Sequence, residues 1–493
     1  MDKAVAALRV RKTISAFTIG LSLAFGCADP AHAKSPIDTS ARVVIAGAPA
    51  ITNPATPSQY NRVWVREYGP QSAAHVLVLL PGSPAGQSNY DILAPALVDL
   101  VPNLAVWSVD RRENAFEDTK GFRLGDPDKA FCYYLLPGCG FNPVQDADVK
   151  FAGQWGATVT LNDIRRVVLA ASAGGTRKVI LGGHSMGAVT APTYAAWDFD
   201  GKPGYRDLEG LVLIDGGQLN AFTKFLVGTP FAKPWATVGQ ANAALAHLAK
   251  GAEPFPSIFG FAGPSLGKIP MWPIGILPEL GCQYVLKDPQ GPSTLQFVFS
   301  LFDGLLPPDL AGIVPKFPIT NEAFMGRIFT SSAGELAAMH VRVGRMAPAG
   351  KAPRPWVNGP YADVPSVCRS YAREPGNGME WYYPIRLDMD LLLGLATLRR
   401  TPVTDALGLR PYHLADIDLP LFVFETSLSQ GGVLQAARSF VQQTKIKHFT
   451  FVSDPNMGHL DPLGDTPDNN RLVTTVVPFL QGITGAAPAT TGG

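Results

Sequence analysis

Residues 178–196 read KVILGGHSMGAVTAPTYAA, and this stretch decides the fold. Its first part, Val179 to Leu181, is an apolar run of the kind that forms a buried strand. Its last part, Ala188 to Ala196, has the composition to continue as a helix. The intervening Gly183 to Gly187 matches Gly-x-Ser-x-Gly, whose small residues let the backbone bend sharply enough to expose a serine hydroxyl. The stretch therefore predicts a strand, a tight turn at Ser185 and a helix.

The chain contains a second match to this pattern, Gly263 to Gly267, in very different surroundings. It follows a Pro-rich stretch and precedes residues 268–273, where two prolines disfavour a helix. We therefore expect Ser265 to lie in an ordinary turn and Ser185 to be the nucleophile. The alternative for Ser185 is that it lies in a tight glycine-rich turn and has no catalytic role.

Short apolar runs recur along the chain, most of them without polar alternation. Such runs are typical of strands buried on both faces of a parallel sheet. We predict further strands at residues 62–67, 75–80, 104–110, 211–214, 419–424 and 448–452. Helical patterns separate several of them, at residues 161–171, 186–196, 433–443 and about 470–480. The alternation of strand and helix predicts an α/β fold.

Between Gly216 and about Tyr412 this alternation stops for nearly 200 residues. The segment is rich in Pro, Gly and aromatic residues, with helical patterns at residues 236–250 and 387–399. Because a structureless loop of that length is uncommon in a compact fold, we expect an inserted, mainly helical lid. The predicted division is a signal peptide at 1–33, core at 34–216, lid at 217–411, core at 412–484 and a flexible tail at 485–493.

The N-terminal residues have the composition of a secretory signal peptide. Four basic residues precede an apolar run at 14–28, and Ala31 to Ala33 forms an Ala-x-Ala cleavage site. The apolar run has about 15 residues, fewer than the roughly 20 that a membrane span needs. We expect cleavage and export to the periplasm or the extracellular medium, with a membrane anchor or a lipid anchor at Cys27 as alternatives.

Four cysteines remain after that cleavage, an even number in a chain bound for an oxidising compartment. Cys132 and Cys139 flank a short segment with its own turn signal, so we pair them locally and pair Cys282 with Cys368. A zinc site is the competing use of cysteines, but the sequence has no Cys-x-x-Cys spacing.

A serine hydroxyl needs a neighbouring base, and His459 is the best candidate among the histidines. It lies in NMGHLDP, just after the last predicted strand, at the strand edge where Ser185 is expected. An acid must then orient the imidazole. Glu425 and Asp215 each follow a predicted strand at that edge; we favour Glu425 and keep Asp215 as the alternative.

The tetrahedral intermediate of acyl transfer carries a negative oxygen that two N–H donors stabilise, each by about 3 to 4 kcal/mol. Met186, next to the nucleophile, supplies one donor in this geometry. The loop PGSPAG at residues 81–86 should supply the other. Because Pro84 has no N–H, Ser83 is the predicted donor, although the loop could be a plain turn.

Taken together, these motifs resemble the α/β-hydrolase family over residues 40–216 and 412–482. The matching features are the Pro81-Gly82 loop, Val109 to Arg112, the turn at Ser185 and Gly458-His459. The resemblance implies an eight-stranded, mostly parallel sheet with helices on both faces, a Ser-acid-His triad and oxyanion donors at Ser83 and Met186. Two features depart from the family pattern: Pro81 replaces the common His, and the acid position reads Phe424-Glu425-Thr426.

The function that follows is hydrolysis of a carboxylic ester of a small hydrophobic substrate, with no cofactor or metal. The formal net charge is +1 and basic residues are scattered, which argues against a nucleic-acid partner. An amidase or aminopeptidase is the alternative, and it would need a lid carboxylate such as Glu279, Glu322 or Glu335 to hold the substrate amine. A binding protein without catalysis is a further alternative, whereas a dehalogenase would need a carboxylate in place of Ser185. The sequence does not indicate an oligomeric state.

Overall fold

The computed structural model describes residues 41–49, 55–218, 221–227, 231–249, 255, 272–300, 314–331 and 338–485. Several predictions concern residues outside these ranges: the signal peptide with Cys27, the second Gly-x-Ser-x-Gly match, Glu335 and the tail after Gly485. Within the described ranges, no helix combines the length and the apolar character needed to cross a lipid bilayer.

The chain is organised around one large sheet. Its strands are β1 (Ala41–Ala46), β2 (Arg62–Tyr68), β3 (His75–Leu80), β4 (Leu104–Asp110), β5 (Lys178–His184), β6 (Gly210–Ile214), β9 (Leu421–Glu425) and β10 (Phe449–Ser453). Their order is β1-β2-β4-β3-β5-β6-β9-β10. The first two strands pair antiparallel and the other six run parallel. The predicted eight-stranded, mostly parallel sheet is confirmed, and β1 is an edge strand that the sequence patterns did not reveal.

The apolar runs form buried strands because both faces of the sheet are covered. Along β3, Leu77 and Leu79 belong to one apolar cluster, and Val76, Val78 and Leu80 belong to another. Helices α1 (Leu93–Leu100) and α14 (Arg471–Thr484) cover the first face. Helices α3 (Ala157–Ala171), α4 (Met186–Ala196) and α12 (Gly432–Gln442) cover the second. The short helix α13 (Asp461–Gly464) precedes α14 in the chain.

The segment between β6 and β9, residues 215–420, is called the inserted segment below, because these two strands are neighbours in the sheet. It contains α5 (Val238–Ala249), α6 (Trp272–Lys287), α7 (Thr294–Ser300), α8 (Asn321–Phe329), α9 (Val364–Ala372), α10 (Ile385–Asp388) and α11 (Pro402–Ala406). It also contains a small antiparallel pair, β7 (Gly344–Met346) and β8 (Trp356–Asn358).

The helix predicted at residues 387–399 ends earlier than expected. After α10 the backbone forms a wider π-helical turn, Met389–Gly394, in which the Leu395 N–H donates to the Asp390 carbonyl at 2.8 Å. The Asp390 carboxylate accepts a hydrogen bond from the Ala157 N–H at 2.9 Å, at the start of α3. This contact anchors the wider turn to the core, so a tertiary contact accompanies the departure from the predicted helix.

Besides the inserted segment, a second long segment leaves the sheet, at residues 111–156 between β4 and α3. This segment, called the second excursion below, was not recognised in the sequence. It carries α2 (Pro127–Leu135) and places its aromatic rings against the inserted segment. Phe141 lies 5.1 Å from Trp272, and Tyr134 lies 5.7 Å from Trp381, measured between ring centroids. The two segments therefore share one aromatic cluster.

Both predicted disulfides are present. Cys132 and Cys139 close a short loop within the second excursion. Cys282 of α6 bonds to Cys368 of α9, which joins two helices of the inserted segment. Since those helices are 86 residues apart in sequence, this bond removes conformational freedom from a long stretch of the unfolded chain.

Candidate active site

Ser185 occupies the sharp turn between β5 and α4. Its backbone has φ +54° and ψ −118°, a conformation that residues with a side chain rarely adopt. The flanking glycines allow it because a Cβ on Gly183 would lie 2.4 Å from the Gly187 backbone, and one on Gly187 would lie 2.0 Å from the Leu80 carbonyl oxygen. The Ser185 N–H donates to the Ile214 carbonyl at 3.0 Å, which ties the turn to β6.

His459 and Asp215 form a buried pair at the same edge of the sheet. Nδ1 of His459 lies 2.5 Å from Oδ2 of Asp215, and the histidine is only 3% exposed. Thr426 donates its N–H to Oδ1 of Asp215 at 2.7 Å and its hydroxyl to Oδ2. Burial alone would raise the pKa of Asp215, but the hydrogen bonds from His459 and Thr426 outweigh it and hold that pKa below its ordinary value.

The carboxylate of Asp215 therefore stays ionised beside the imidazole and fixes a proton on Nδ1, which leaves Nε2 as the basic nitrogen. Among the described residues, the ring of His459 makes its hydrogen bond through Nδ1, to Asp215. Nε2 therefore keeps a lone pair that can accept a proton.

Glu425, the acid favoured from the sequence, lies elsewhere. Its Oε1 accepts hydrogen bonds from the Ser429 hydroxyl at 2.5 Å and from the Val433 N–H at 2.9 Å, at the start of α12. Because side chains alternate along a strand, Glu425 and the next residue, Thr426, point to opposite sides, and Thr426 faces Asp215. This corrects the predicted acid: the structure brings the alternative, Asp215, to His459.

His184, the residue before Ser185, contacts His459. Its Nε2 donates to the His459 carbonyl at 2.8 Å, and the two rings lie 4.2 Å apart. Burial, together with the proximity of His459, lowers the pKa of His184 to about 3, so the His184 ring is neutral at working pH. His184 therefore acts as an uncharged support for the backbone of His459.

Replacing His184 with Phe should keep the volume of the ring but remove this hydrogen bond. We expect kcat to fall about 10-fold to 100-fold, because small misplacements of a catalytic group are costly. Steady-state kinetics on an ester substrate provide the measurement. His413→Phe is the control, since His413 pairs with Asp198 at 3.0 Å outside the site. Equal losses in the two variants would contradict the supporting role.

The loop that carries His459 is held by the inserted segment. Asp461 accepts hydrogen bonds from the N–H of Gly458 at 2.5 Å and from the N–H of Arg342 at 2.6 Å. The Arg342 side chain pairs with Asp461 at 2.7 Å and with Asp465. The Leu460 N–H donates to the His340 carbonyl at 2.9 Å. The position of His459 thus depends on residues of both the core and the inserted segment.

The predicted oxyanion donors flank Ser185. Met186 is the first residue of α4, so its N–H has no acceptor within the helix. The loop of residues 81–86 passes directly beside Ser185, because a Cβ on Gly82 would lie 3.0 Å from the Cβ of Ser185. Ser83 follows in that loop and lies near Asp388 and Tyr383 of the inserted segment, which hydrogen-bond to each other at 2.7 Å.

Asp388 should make the stability of the protein depend on pH. Burial raises its pKa to about 7, although Tyr383, Arg111 and Ser83 all favour its charged form. Between about pH 4 and 7 the native state keeps a proton that the unfolded chain has lost. The free energy of unfolding should therefore fall as pH rises through this window, by about 1 kcal/mol per pH unit for this group.

Urea unfolding of the wild type and of Asp388→Asn at several pH values measures this effect. Other buried carboxyls titrate in the same range, among them Asp110 and Asp465, so the informative quantity is the difference between the two proteins. We expect the wild type to lose stability relative to the variant as pH rises from 4 to 7. A difference that is constant with pH would contradict the shift of Asp388.

A small pocket with both polar and apolar lining lies near the site. Its lining includes Val189 of α4, Gln218, Phe222 and Leu391. The Phe222 ring stands edge-on to the His459 ring at 6.3 Å between centroids. Phe222 thus places one side of this pocket next to the buried histidine.

Two carboxylates considered for holding a substrate amine have partners within the inserted segment. Glu279 accepts a hydrogen bond from the Gly376 N–H at 2.9 Å. Glu322 accepts from Gln290 at 2.8 Å and from Asn358 at 2.7 Å. Both side chains are buried, and these contacts hold the inserted segment together.

Comparisons with known proteins give similarity in structure only. No protein-family model and no curated sequence matches the chain. Among solved structures, it is similar to a candidate lipase from Sulfolobus solfataricus, with 15% identity, a TM-score of 0.46, and coverage of 87% of this chain and 91% of that one.

Two further similar structures belong to other kinds of hydrolase. Epoxide hydrolase A from Mycobacterium thermoresistibile has 13% identity and a TM-score of 0.42, with coverage of 90% of this chain and 99% of that one. A thermophilic esterase from Thermogutta terrifontis has 14% identity and a TM-score of 0.36, with the same coverage of 90% and 99%. Since these scores are below 0.5, we assign the fold from the topology itself.

That topology has three diagnostic parts. A mostly parallel eight-stranded sheet is covered on both faces, Ser185 sits on the turn after its fifth strand, and His459 follows its last strand. The strand order and the positions of these two residues give this chain the α/β-hydrolase fold.

Proposed function

We propose that the protein is a serine hydrolase that cleaves carboxylic esters of hydrophobic substrates. The observation that carries the proposal is the strained turn at Ser185 together with the buried His459–Asp215 pair at the same sheet edge. A serine at this turn suits acyl transfer, whereas a carboxylate would be needed there for direct displacement at carbon.

In the proposed mechanism, Nε2 of His459 takes the proton of Ser185 as the serine oxygen attacks the ester carbonyl carbon. The N–H groups of Met186 and Ser83 stabilise the negative oxygen that forms. The intermediate then collapses, the alcohol leaves with the proton from His459, and an acyl group remains on Ser185. Water attacks this acyl-enzyme with His459 as base, which releases the acid and restores the serine. Asp215 stabilises the imidazolium in both halves of the reaction.

The Phe222 ring beside His459 supports an apolar acyl or aromatic group on the substrate. We propose that the inserted segment acts as a lid over this group. The two disulfides support export, because such bonds persist in oxidising compartments. Secretion through the proposed signal peptide at 1–33 would be tested by fractionating cells that express the full chain and a chain lacking those residues.

An amidase or aminopeptidase of the same fold is the second candidate, because acyl transfer from an amide uses the same groups. The burial of Glu279 and Glu322 and their contacts within the inserted segment weigh against their holding a substrate amine. This observation favours the ester over the aminopeptidase.

Two measurements test the proposal. The first is the rate of hydrolysis of p-nitrophenyl butyrate compared with that of alanine p-nitroanilide. We expect turnover of the ester and negligible turnover of the anilide; the opposite result would replace the ester with the amide. The second is labelling by a fluorophosphonate probe followed by peptide mass spectrometry, which should find the adduct on Ser185. A protein that is neither labelled nor active would refute the serine hydrolase.

A further inference from the structure

We propose that Arg111 is a positioning residue of the oxyanion hole, which it builds by fixing the direction of the Ser83 N–H. The inference rests on the proposed function and deepens it. It assigns a task to an arginine that directly follows β4 and that does not touch the reacting atoms.

The side chain of Arg111 binds the backbone of the loop beside Ser185. Nη1 donates to the Pro81 carbonyl at 3.1 Å, and Nη2 donates to the carbonyls of Gly82 at 2.7 Å and Ala85 at 3.3 Å. Three carbonyl groups within five residues of chain thus point to one guanidinium. Such convergence is a strong constraint on the conformation of a short loop.

The geometry of the peptide between Gly82 and Ser83 then sets the direction in which the Ser83 N–H points. The Gly82 carbonyl and the Ser83 N–H belong to the same planar peptide, and in a trans peptide these two groups point in opposite directions. When Arg111 holds the Gly82 carbonyl, the Ser83 N–H must point away from the guanidinium. The adjacent Gly82 lies against the Cβ of Ser185, so this donor is carried beside the nucleophile.

Arg111 is itself fixed from several sides. It is only 8% exposed, and its Nε lies 3.1 Å from a Glu113 carboxylate oxygen. Its Nη2 lies 2.7 Å from a Glu380 oxygen, and its guanidinium covers the ring of Tyr383 at 5.0 Å. The planar fork of arginine suits this set of partners, whereas the single ammonium of lysine could not reach the three carbonyls and the two carboxylates together.

The carboxylate of Glu380 links this arrangement to the inserted segment. The Glu380 N–H also donates to the Pro84 carbonyl at 2.8 Å, so one residue of that segment holds both the loop and the arginine. The inserted segment therefore contributes to the oxyanion hole and does more than cover the substrate.

The neighbouring residue provides a matched control. Arg112 is also buried, at 2% exposure, and pairs with Asp163 of α3. It also donates to the side chain of Asn61 at 2.9 Å and to the Ala48 carbonyl at 2.8 Å. These contacts join the chain before β2 to α3, and none of them involves residues 81–86. A change at Arg112 should affect stability without affecting the oxyanion hole.

The experiment compares Arg111→Lys with Arg112→Lys in the full chain, at a temperature where circular dichroism shows both to be folded. An oxyanion donor acts in the transition state, so we expect Arg111→Lys to lower kcat about 100-fold and to change KM less than threefold. Affinity for phenylboronic acid, which forms a tetrahedral anion on the nucleophile, should fall by a similar factor. Arg112→Lys should keep kcat and boronate affinity within threefold of the wild type.

A second variant guards against a folding defect in Arg111→Lys. Glu380→Gln keeps an oxygen acceptor for Arg111 but removes the charge, and it should lower kcat with little change in KM. Unchanged kcat in the folded Arg111 variant, or in Glu380→Gln if Arg111→Lys does not fold, would overturn the inference. So would equal losses of kcat in the Arg111 and Arg112 variants.

Labelling of the wild type by fluorophosphonate distinguishes a failure of this inference from a failure of the proposed function. If the wild type is not labelled, the proposed function fails and the inference fails with it. If the wild type is labelled but kcat of the variants is unchanged, only the inference fails.

Discussion

Replacing Ser185 with alanine is expected to lower kcat for p-nitrophenyl butyrate by about 10⁵-fold or more. The alanine variant has no oxygen to form the acyl-enzyme, and the remaining rate would come from binding and from the oxyanion hole alone. Labelling by fluorophosphonate should be lost completely. Because Ser185 is half-buried in a turn, the alanine variant should unfold at nearly the same temperature as the wild type.

Ser265→Ala is the matched control for this prediction, because Ser265 is the centre of the second Gly-x-Ser-x-Gly match. That variant should retain the activity and labelling of the wild type. Activity above 1% in Ser185→Ala, or loss of labelling in Ser265→Ala, would show that the nucleophile has been assigned to the wrong serine.

Asp215→Asn is expected to lower kcat by about 10³-fold to 10⁴-fold. The asparagine is the same size as the aspartate, but it removes the charge that stabilises the imidazolium and no longer fixes the proton on Nδ1 of His459. Steady-state kinetics measure the loss, and far-ultraviolet circular dichroism verifies the fold. KM should change much less than kcat, since Asp215 does not contact the substrate in the proposed mechanism.

Glu425→Gln is the counterpart of this change at the acid favoured from the sequence. Glu425 accepts hydrogen bonds at the start of α12, so its replacement should lower stability by about 1 kcal/mol and leave kcat within threefold of the wild type. If Glu425→Gln abolished activity and Asp215→Asn did not, the acid would be Glu425, the residue favoured from the sequence.

The comparison of these two acids shows where sequence reasoning reached its limit. Asp215 and Glu425 both follow a strand of the parallel sheet, and both lie between Ser185 and His459 in the chain. Neither chain order nor strand position can separate them. The difference lies in side-chain direction after β6 and β9, and the informative clue was Thr426, whose N–H and hydroxyl hold Asp215.

The sheet was predictable because its strands are buried on both faces and therefore appear as uninterrupted apolar runs. The turn at Ser185 was predictable because glycines are required where a Cβ would meet the backbone. The excursion at residues 111–156 was missed because its aromatic residues pack with a distant part of the chain and form no local periodic pattern. The contact of His184 with His459 and the contacts of Arg111 with Gly82 and Glu380 were missed for the same reason, because these partners are remote in sequence.

The contacts that the inserted segment makes with the site limit what protein engineering can exchange. Arg342 holds the loop of His459, and Glu380 holds the loop of Ser83. A chimaera that received this segment from another enzyme, with the cuts placed just after Asp215 and just before β9, would keep Ser185, His459 and Asp215 but lose both supports. Grafting for new specificity should therefore retain these two residues and their local backbone, and diversify positions such as Phe222 and Leu391 that line the pocket near His459.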